Sequence, residues 1–188
     1  MSATLFFFDF RSPYSYLAHS QFPGLPGEIV FKPMDVLEVM KRVGNVPTTI
    51  ICKPKQAYAR ADLGRWAALY GVPLSPNPAM SQIDGRRLLR AVIAAGPKAA
   101  DAVARVFPAM WAGDAALATA EDLAALLDGL GVTPAMIESP AAEAALNANV
   151  AEAEARGVFG APTFMVGEQM FFGNDRLDFL RQALKVAA

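Results

Sequence analysis

Both ends of the chain alternate strand with helix, while the long middle reads as helix alone. This switch of period constrains the fold more than any other feature. Thr4 to Asp9 reads as a buried strand, a short aromatic run closed by a carboxylate. Ser12-Pro13 then opens a helix over Tyr14 to Ser20. Serine suits the N-cap, and proline suits the first helical position because its missing N–H is not needed there. Pro23, Gly24, Pro26 and Gly27 form a turn-rich connection, and Glu28 to Lys32 reads as a second strand. Strand, helix, strand in that order predicts a right-handed crossover and a parallel pair.

From about Gly44 to Gly157 the period is helical. Tyr58 to Tyr70 carries Ala59, Leu63, Trp66 and Tyr70 at helical spacing and stops at Gly71-Val72-Pro73. Ser75 to Pro78 is a loop, and Gly85 to Ala95 is a helix with Leu88, Leu89 and Val92 on one face. Lys98 to Ala112 is helical too, with the expectation that Pro108 breaks or kinks it. Thr119 is placed to cap Glu121 to Leu130, and Ser139-Pro140 to open Ala141 to Arg156. In the tail, Thr163 to Val166 and Gln169 to Phe172 form a hairpin through Gly167-Glu168. Gly173 interrupts it, and Asn174 is expected to cap a last helix from Asp175 to Val186. The predicted fold class is α/β, a thioredoxin-like fold with a large helical insertion. Residues 1–43 and 157–188 make the thioredoxin-like domain, and 44–156 the inserted helical domain.

Composition narrows the function. Apolar residues make up 54% and charged residues 19%, which supports a sizeable core and argues against disorder. A net charge of −1 argues against a basic nucleic-acid-binding surface, so no nucleic-acid partner is expected. One cysteine and one histidine exclude an intrachain disulfide, a Cys/His zinc site and a dithiol redox centre, and no metal is expected. The N-terminal run lacks a basic segment and is interrupted by Asp9, unlike a secretory signal. No segment reaches the roughly 18 apolar residues of a membrane span. The expectation is a cytoplasmic protein with no membrane partner.

Four places carry candidate chemistry. Ser12-Pro13-Tyr14-Ser15 sits where a buried strand turns into a helix. The same spacing with cysteines at both ends is the C-x-x-C of dithiol enzymes, whose helix N-terminus stabilises a thiolate. With hydroxyls at both ends the position cannot exchange disulfides, but it can hold an anion or a thiolate brought by another molecule; as structure alone, Ser12 is an N-cap. Gly160-Ala161-Pro162-Thr163 places a proline just before a strand, where it is either an ordinary entry residue or a cis-proline facing the first helix. Asn174-Asp175-Arg176 is either a helix cap with a solvated arginine or a polar grip for a charged group. Asn45, in Gly44-Asn45-Val46-Pro47, closes a turn or lines a site, and Lys53 and Lys55 in the following loop are solvated or serve an anion. Cys52 has no partner that would activate it, and His19 reads as structural or exposed.

Taken together, Asp9-Phe-Arg-Ser-Pro-Tyr-Ser-Tyr-Leu-Ala18, Gly44-Asn45-Val46-Pro47, Asp62-Leu63-Gly64-Arg65-Trp66-Ala67, Gly157-Val-Phe-Gly-Ala-Pro-Thr-Phe164 and Phe172-Gly173-Asn174-Asp175-Arg176-Leu177 span nearly the whole chain. In that order they resemble the 2-hydroxychromene-2-carboxylate isomerases and the related kappa-class glutathione transferases of the DsbA-like thioredoxin superfamily. The resemblance implies glutathione as cofactor, with Ser12 at its sulfur as the catalytic group. It further implies Ala161 beside a cis-Pro162 pairing with the cysteinyl part, and Asp175 with Asn174 at the γ-glutamyl end. Asn45, Lys53 and Lys55 fall on the side of a small aromatic carboxylate substrate. The implied activity is glutathione-dependent cis-trans isomerisation of a chromene-type carboxylate. A kappa-like transferase and a non-catalytic glutathione or peptide binder are the alternatives, and a homodimer is hinted. The sequence departs from the family pattern at Pro47-Thr48, at Cys52-Lys53-Pro54-Lys55 and at Phe172, where tryptophan is common.

Overall fold

The aromatic run at the start of the chain becomes the strand on which the rest is built. A computed structural model describes residues 3–186; residues 1–2 and 187–188 of the expected thioredoxin-like segments lie outside the described residues. Strand β1 (Thr4–Phe8) pairs in parallel with β2 (Ile29–Pro33), Thr4 opposite Ile29 and Phe8 opposite Pro33. On its other side it runs antiparallel to β3 (Thr163–Val166), and β3 in turn pairs with β4 (Gln169–Phe172). The sheet order is β2-β1-β3-β4.

Alternation along β1 buries both of its faces. Phe6 and Phe8 point into the larger core with Phe10, Phe107 and Phe164, while Phe7 points into a smaller one with Met34, Val39, Val150 and Met165. The rings of Phe6 stack on Phe8 and Phe164 with centroids 5.0 and 4.9 Å apart, arrangements that add to the area they bury.

The helices, in chain order, are α1 (Pro13–His19), α2 (Val36–Arg42), α3 (Thr48–Ile51), α4 (Lys53–Tyr70) and α5 (Gly85–Ala94). They continue with α6 (Ala99–Trp111), α7 (Ala120–Leu126), α8 (Pro134–Ile137), α9 (Pro140–Ala155) and α10 (Leu177–Val186). The predicted strand-helix-strand start, the helical middle and the hairpin-helix end are all present. Caps form as the sequence predicts: the hydroxyls of Ser12, Thr119 and Ser139 accept the N–H groups of Ser15, Asp122 and Ala142.

Four local expectations are corrected. First, α2 lies in a stretch read without a helix. Asp35 caps it by accepting from the Leu37 and Glu38 N–H groups, and the Asp35…Glu38 spacing is the legible signal for it. Second, α4 begins at Lys53 rather than Tyr58, because Pro54 occupies the first turn, where its missing N–H costs nothing. The stretch holding Lys53 and Lys55 is therefore helix and not loop. Third, of the break or kink expected at Pro108, the break does not occur within α6. Pro108 lies in the last turn, the Ala112 N–H still closes onto its carbonyl at 2.7 Å, and burial of Phe107, Met110 and Trp111 holds the turn. Fourth, the last α-helix starts at Leu177, after a 3₁₀ turn over Asn174–Arg176, and the Asn174 side chain does not cap it.

Candidate active site

The turn between β1 and α1 is fixed by a fully buried carboxylate. Asp9 accepts from the Arg11 backbone N–H at 2.9 Å, from the Arg11 guanidinium and from the Val36 N–H at 3.0 Å. The same guanidinium reaches Asp35 at 2.6 Å, and Arg86 of α5 approaches the other Asp35 oxygen at 2.9 Å. Burial alone would raise the Asp35 carboxyl, but the Arg11 charge and the Arg11 and Arg86 hydrogen bonds outweigh it and hold it below the ordinary range. The turn thus hands Ser12 to the start of α1 from a rigid base.

Ser12 faces the loop before β3. Its hydroxyl donates to the Ala161 carbonyl at 3.1 Å while accepting the Ser15 N–H at 3.2 Å. The Ala161–Pro162 bond is cis. The Gly173 N–H donates to the Pro162 carbonyl at 2.9 Å, which ties the polar tail motif to the same loop.

Beside this junction lies a cleft of about 220 Å³ lined by Tyr14, Asp62, Trp66, Ala161–Pro162 and Phe172–Asp175. Asn174 is buried, its carbonyl accepts the Tyr70 hydroxyl at 2.9 Å, and its side-chain amide nitrogen has no partner among the described residues. A buried donor left unpaired costs about 1–3 kcal/mol, and this one is closed off from the cleft by the atoms around it. Asp175 is exposed and pairs with Arg176, itself half-exposed, so the arginine is solvated as expected. Gly173 has φ 96°, and a Cβ there would sit 2.5 Å from an Asp175 carboxylate oxygen, so only glycine allows this approach. The ring of Phe172 lies on Gly160, whose added Cβ would come within 2.8 Å of it.

A second, more apolar cleft of about 520 Å³ adjoins the first and is lined by Tyr14, Thr48, Thr49, Pro54, Lys55, Tyr58 and Ala59. Lys55 is part of it, with its ammonium 3.3 Å from the Thr48 hydroxyl. Lys53 is not: two residues along a helix turn the side chain by about 200°, so Lys53 and Lys55 leave opposite sides of α4. Asn45 lines neither cleft. Its side-chain amide donates to the Phe159 carbonyl at 2.8 Å and ties its loop to the segment leading into Ala161. Cys52 precedes α4 as a free thiol. His19 packs among Phe22, Phe31 and Phe107, and burial lowers its pKa to about 4.

Ala161, Pro162, Asn174 and Asp175 therefore line one cleft, Ser12 reaches it only through its hydrogen bond to the Ala161 carbonyl, and Lys55 stands at the neighbouring cleft. Reading the residues for chemistry did not single out Tyr14, Asp62 and Trp66 as site residues. The four-residue step from Asp62 to Trp66 and the three-residue step from Lys55 to Tyr58 were the available signals, since they set these side chains on one helix face.

A four-stranded thioredoxin-like sheet, a cis-proline and a helix start bearing hydroxyls in place of cysteines define a thioredoxin-class protein built for a non-dithiol chemistry. The sequence profile of the DSBA-like thioredoxin domain matches residues 4–185. A 2-hydroxychromene-2-carboxylate isomerase of Sphingobium xenophagum is 34% identical over 189 residues, covering 95% of this chain and 96% of that one. One of Pseudomonas putida is 37% identical over 191 residues, covering 95% and 92%. A solved structure of a 2-hydroxychromene-2-carboxylate isomerase superposes with a TM-score of 0.84 at 33% identity, over 98% of this chain and 95% of that one. The chain belongs to the DSBA-like thioredoxin family and, within it, to the 2-hydroxychromene-2-carboxylate isomerase family. Among the described residues no helix is long and apolar enough to cross a membrane.

Proposed function

We propose that this protein is a glutathione-dependent isomerase of a small aromatic carboxylate of the 2-hydroxychromene-2-carboxylate type. The family it belongs to supports the isomerisation. The observation that supports the cofactor is the cleft that brings Ala161-Pro162 together with the Asp175 carboxylate, beside the Ser12 hydroxyl that donates to the Ala161 carbonyl. The groups present fit a tripeptide with charged ends and a central thiol: the Asp175 carboxylate for the charged γ-glutamyl end, and the Ser12 hydroxyl at a helix start for the thiol.

Glutathione, when bound, supplies a sulfur nucleophile able to add to a conjugated double bond and leave again after the bond has rotated. Ser12 turns its hydroxyl from the Ala161 carbonyl toward that sulfur and, with the first N–H groups of α1, favours the thiolate. Asp175 accepts from the γ-glutamyl ammonium, and the Asn174 amide turns out of its buried position to donate to the γ-glutamyl carboxylate. Lys55 and Thr48 hold the substrate carboxylate in the second cleft, while Tyr14, Tyr58 and Pro54 cover its ring. The residues contribute orientation and charge, and the walls of Trp66, Pro162 and Phe172 keep water from the reacting atoms.

Absorbance of a chromene carboxylate mixed with the protein, with and without glutathione, tests this reading. A spectral change that needs glutathione is expected. Conjugation of a generic electrophile in its place identifies a transferase, and neither change identifies a binder; both outcomes contradict the proposal.

A further inference from the structure

Lys55, Tyr58, Ala59, Asp62 and Trp66 succeed one another at intervals of three, one, three and four residues, which sets them along one face of α4. Lys55, Tyr58 and Ala59 line the second cleft, and Asp62 and Trp66 line the first. Tyr14 reaches this face from the first turn of α1 and lines both clefts. Its hydroxyl donates to the Asp62 carboxylate at 3.1 Å. A single ring, rooted in the same turn as Ser12 and tied at its far end, therefore stands where the two clefts meet.

We infer that Tyr14, pinned by Asp62, is a positioning residue that fixes the aromatic carboxylate in the second cleft relative to the sulfur in the first. The naming of the two ligands rests on the proposed function; the shared wall and its tie do not. A ring held only at its Cβ swings about χ1 and χ2, and a ring also held at its hydroxyl does not. The two ligands meet at the edge of that ring, so a swing shifts one against the other, and a misplacement of about 1 Å costs on the order of a hundredfold in rate. Burial, and then the hydrogen bond to and charge of Asp62, raise the Tyr14 phenol well above its ordinary pKa, so it stays protonated and keeps donating. Asp62 in turn has a built role that its place in the first cleft alone would not explain.

A double-mutant cycle over Tyr14→Phe and Asp62→Ala tests the pin, with Asp62→Asn as the variant that keeps an oxygen acceptor. Each of the first two variants is expected to lower kcat/KM for the aromatic carboxylate about tenfold, and the double variant no further, because either change alone releases the ring. Asp62→Asn is expected to retain most of the activity. The Kd of glutathione, read by isothermal titration calorimetry, should change less than about threefold in Tyr14→Phe. Losses that multiply in the double variant, or full kcat/KM in Tyr14→Phe, overturn the inference. If the wild-type protein shows no turnover, the functional reading fails instead. The same four-protein cycle is then read on the Kd of 2-naphthoate, where coupling supports the pin and additivity rejects it.

Discussion

His19 shows how a single side chain reads differently in the chain and in the fold. The sequence offers one histidine near a helix end, structural or exposed, whereas the structure closes Phe22, Phe31 and Phe107 around it and lowers its pKa to about 4. The unfolded chain takes up a proton as pH falls through about 6.5, and the folded protein does not. Stability is therefore full above that pH and falls between it and about 4, by up to about 1.4 kcal/mol per pH unit. Urea midpoints at pH about 7 and about 5 should separate more for the wild-type protein than for His19→Phe. Equal separations would show that His19 takes its proton in the fold. Asn174 is the converse case. The sequence marks it as a cap, but its unpaired amide depends on the 3₁₀ turn and on Tyr70 from a distant helix, neither of which has a local signature.

Elements were legible where a cap and a period agreed. The Thr163–Val166 and Gln169–Phe172 hairpin follows from two short apolar runs about Gly167-Glu168, and Pro140–Ala155 from a serine cap and a proline. α2 was hidden by its shortness, and the first turn of α4 by lysines and a proline that read equally well as loop. How α5 docks was not legible, because it depends on a close approach between distant residues. Gly85, at its first turn, lies under the Arg11 side chain, and a Cβ there would stand 2.6 Å from Arg11 Cδ. Arg11 has little room to yield, since it is held between Asp9 and Asp35. Gly85→Ala should therefore cost about 1–3 kcal/mol, read as a lower denaturation midpoint. An unchanged midpoint would mean that the turn before Ser12 is looser than the ion pairs imply.

Across the whole molecule, the mixed sheet supplies a floor with both faces covered, and the site forms where segments far apart in sequence reach its edge. The β1–α1 turn brings Ser12, the loop before β3 brings Ala161-Pro162, the turn after β4 brings Asn174 and Asp175, and α4 closes the side with Asp62 and Trp66. The sequence could nominate the first three because each is a short motif at an element boundary. It could not place the fourth, since only the packing of α4 on α1 decides which face of that helix meets the cleft. An ion-pair network running from Asp9 through Arg11, Asp35 and Arg86 to Glu143 ties this assembly to α5 and α9, so the site inherits the rigidity of the fold. The proposed function requires this arrangement to hold glutathione as its thiolate. Titrating the thiolate absorbance of bound glutathione against pH, in the wild-type protein and in Ser12→Ala, tests that requirement. The bound thiol is predicted to titrate at least about one unit below free glutathione, and to return part of the way when the Ser12 hydroxyl is removed. A bound thiol that titrates like the free one, or a depression untouched by Ser12→Ala, would contradict the account.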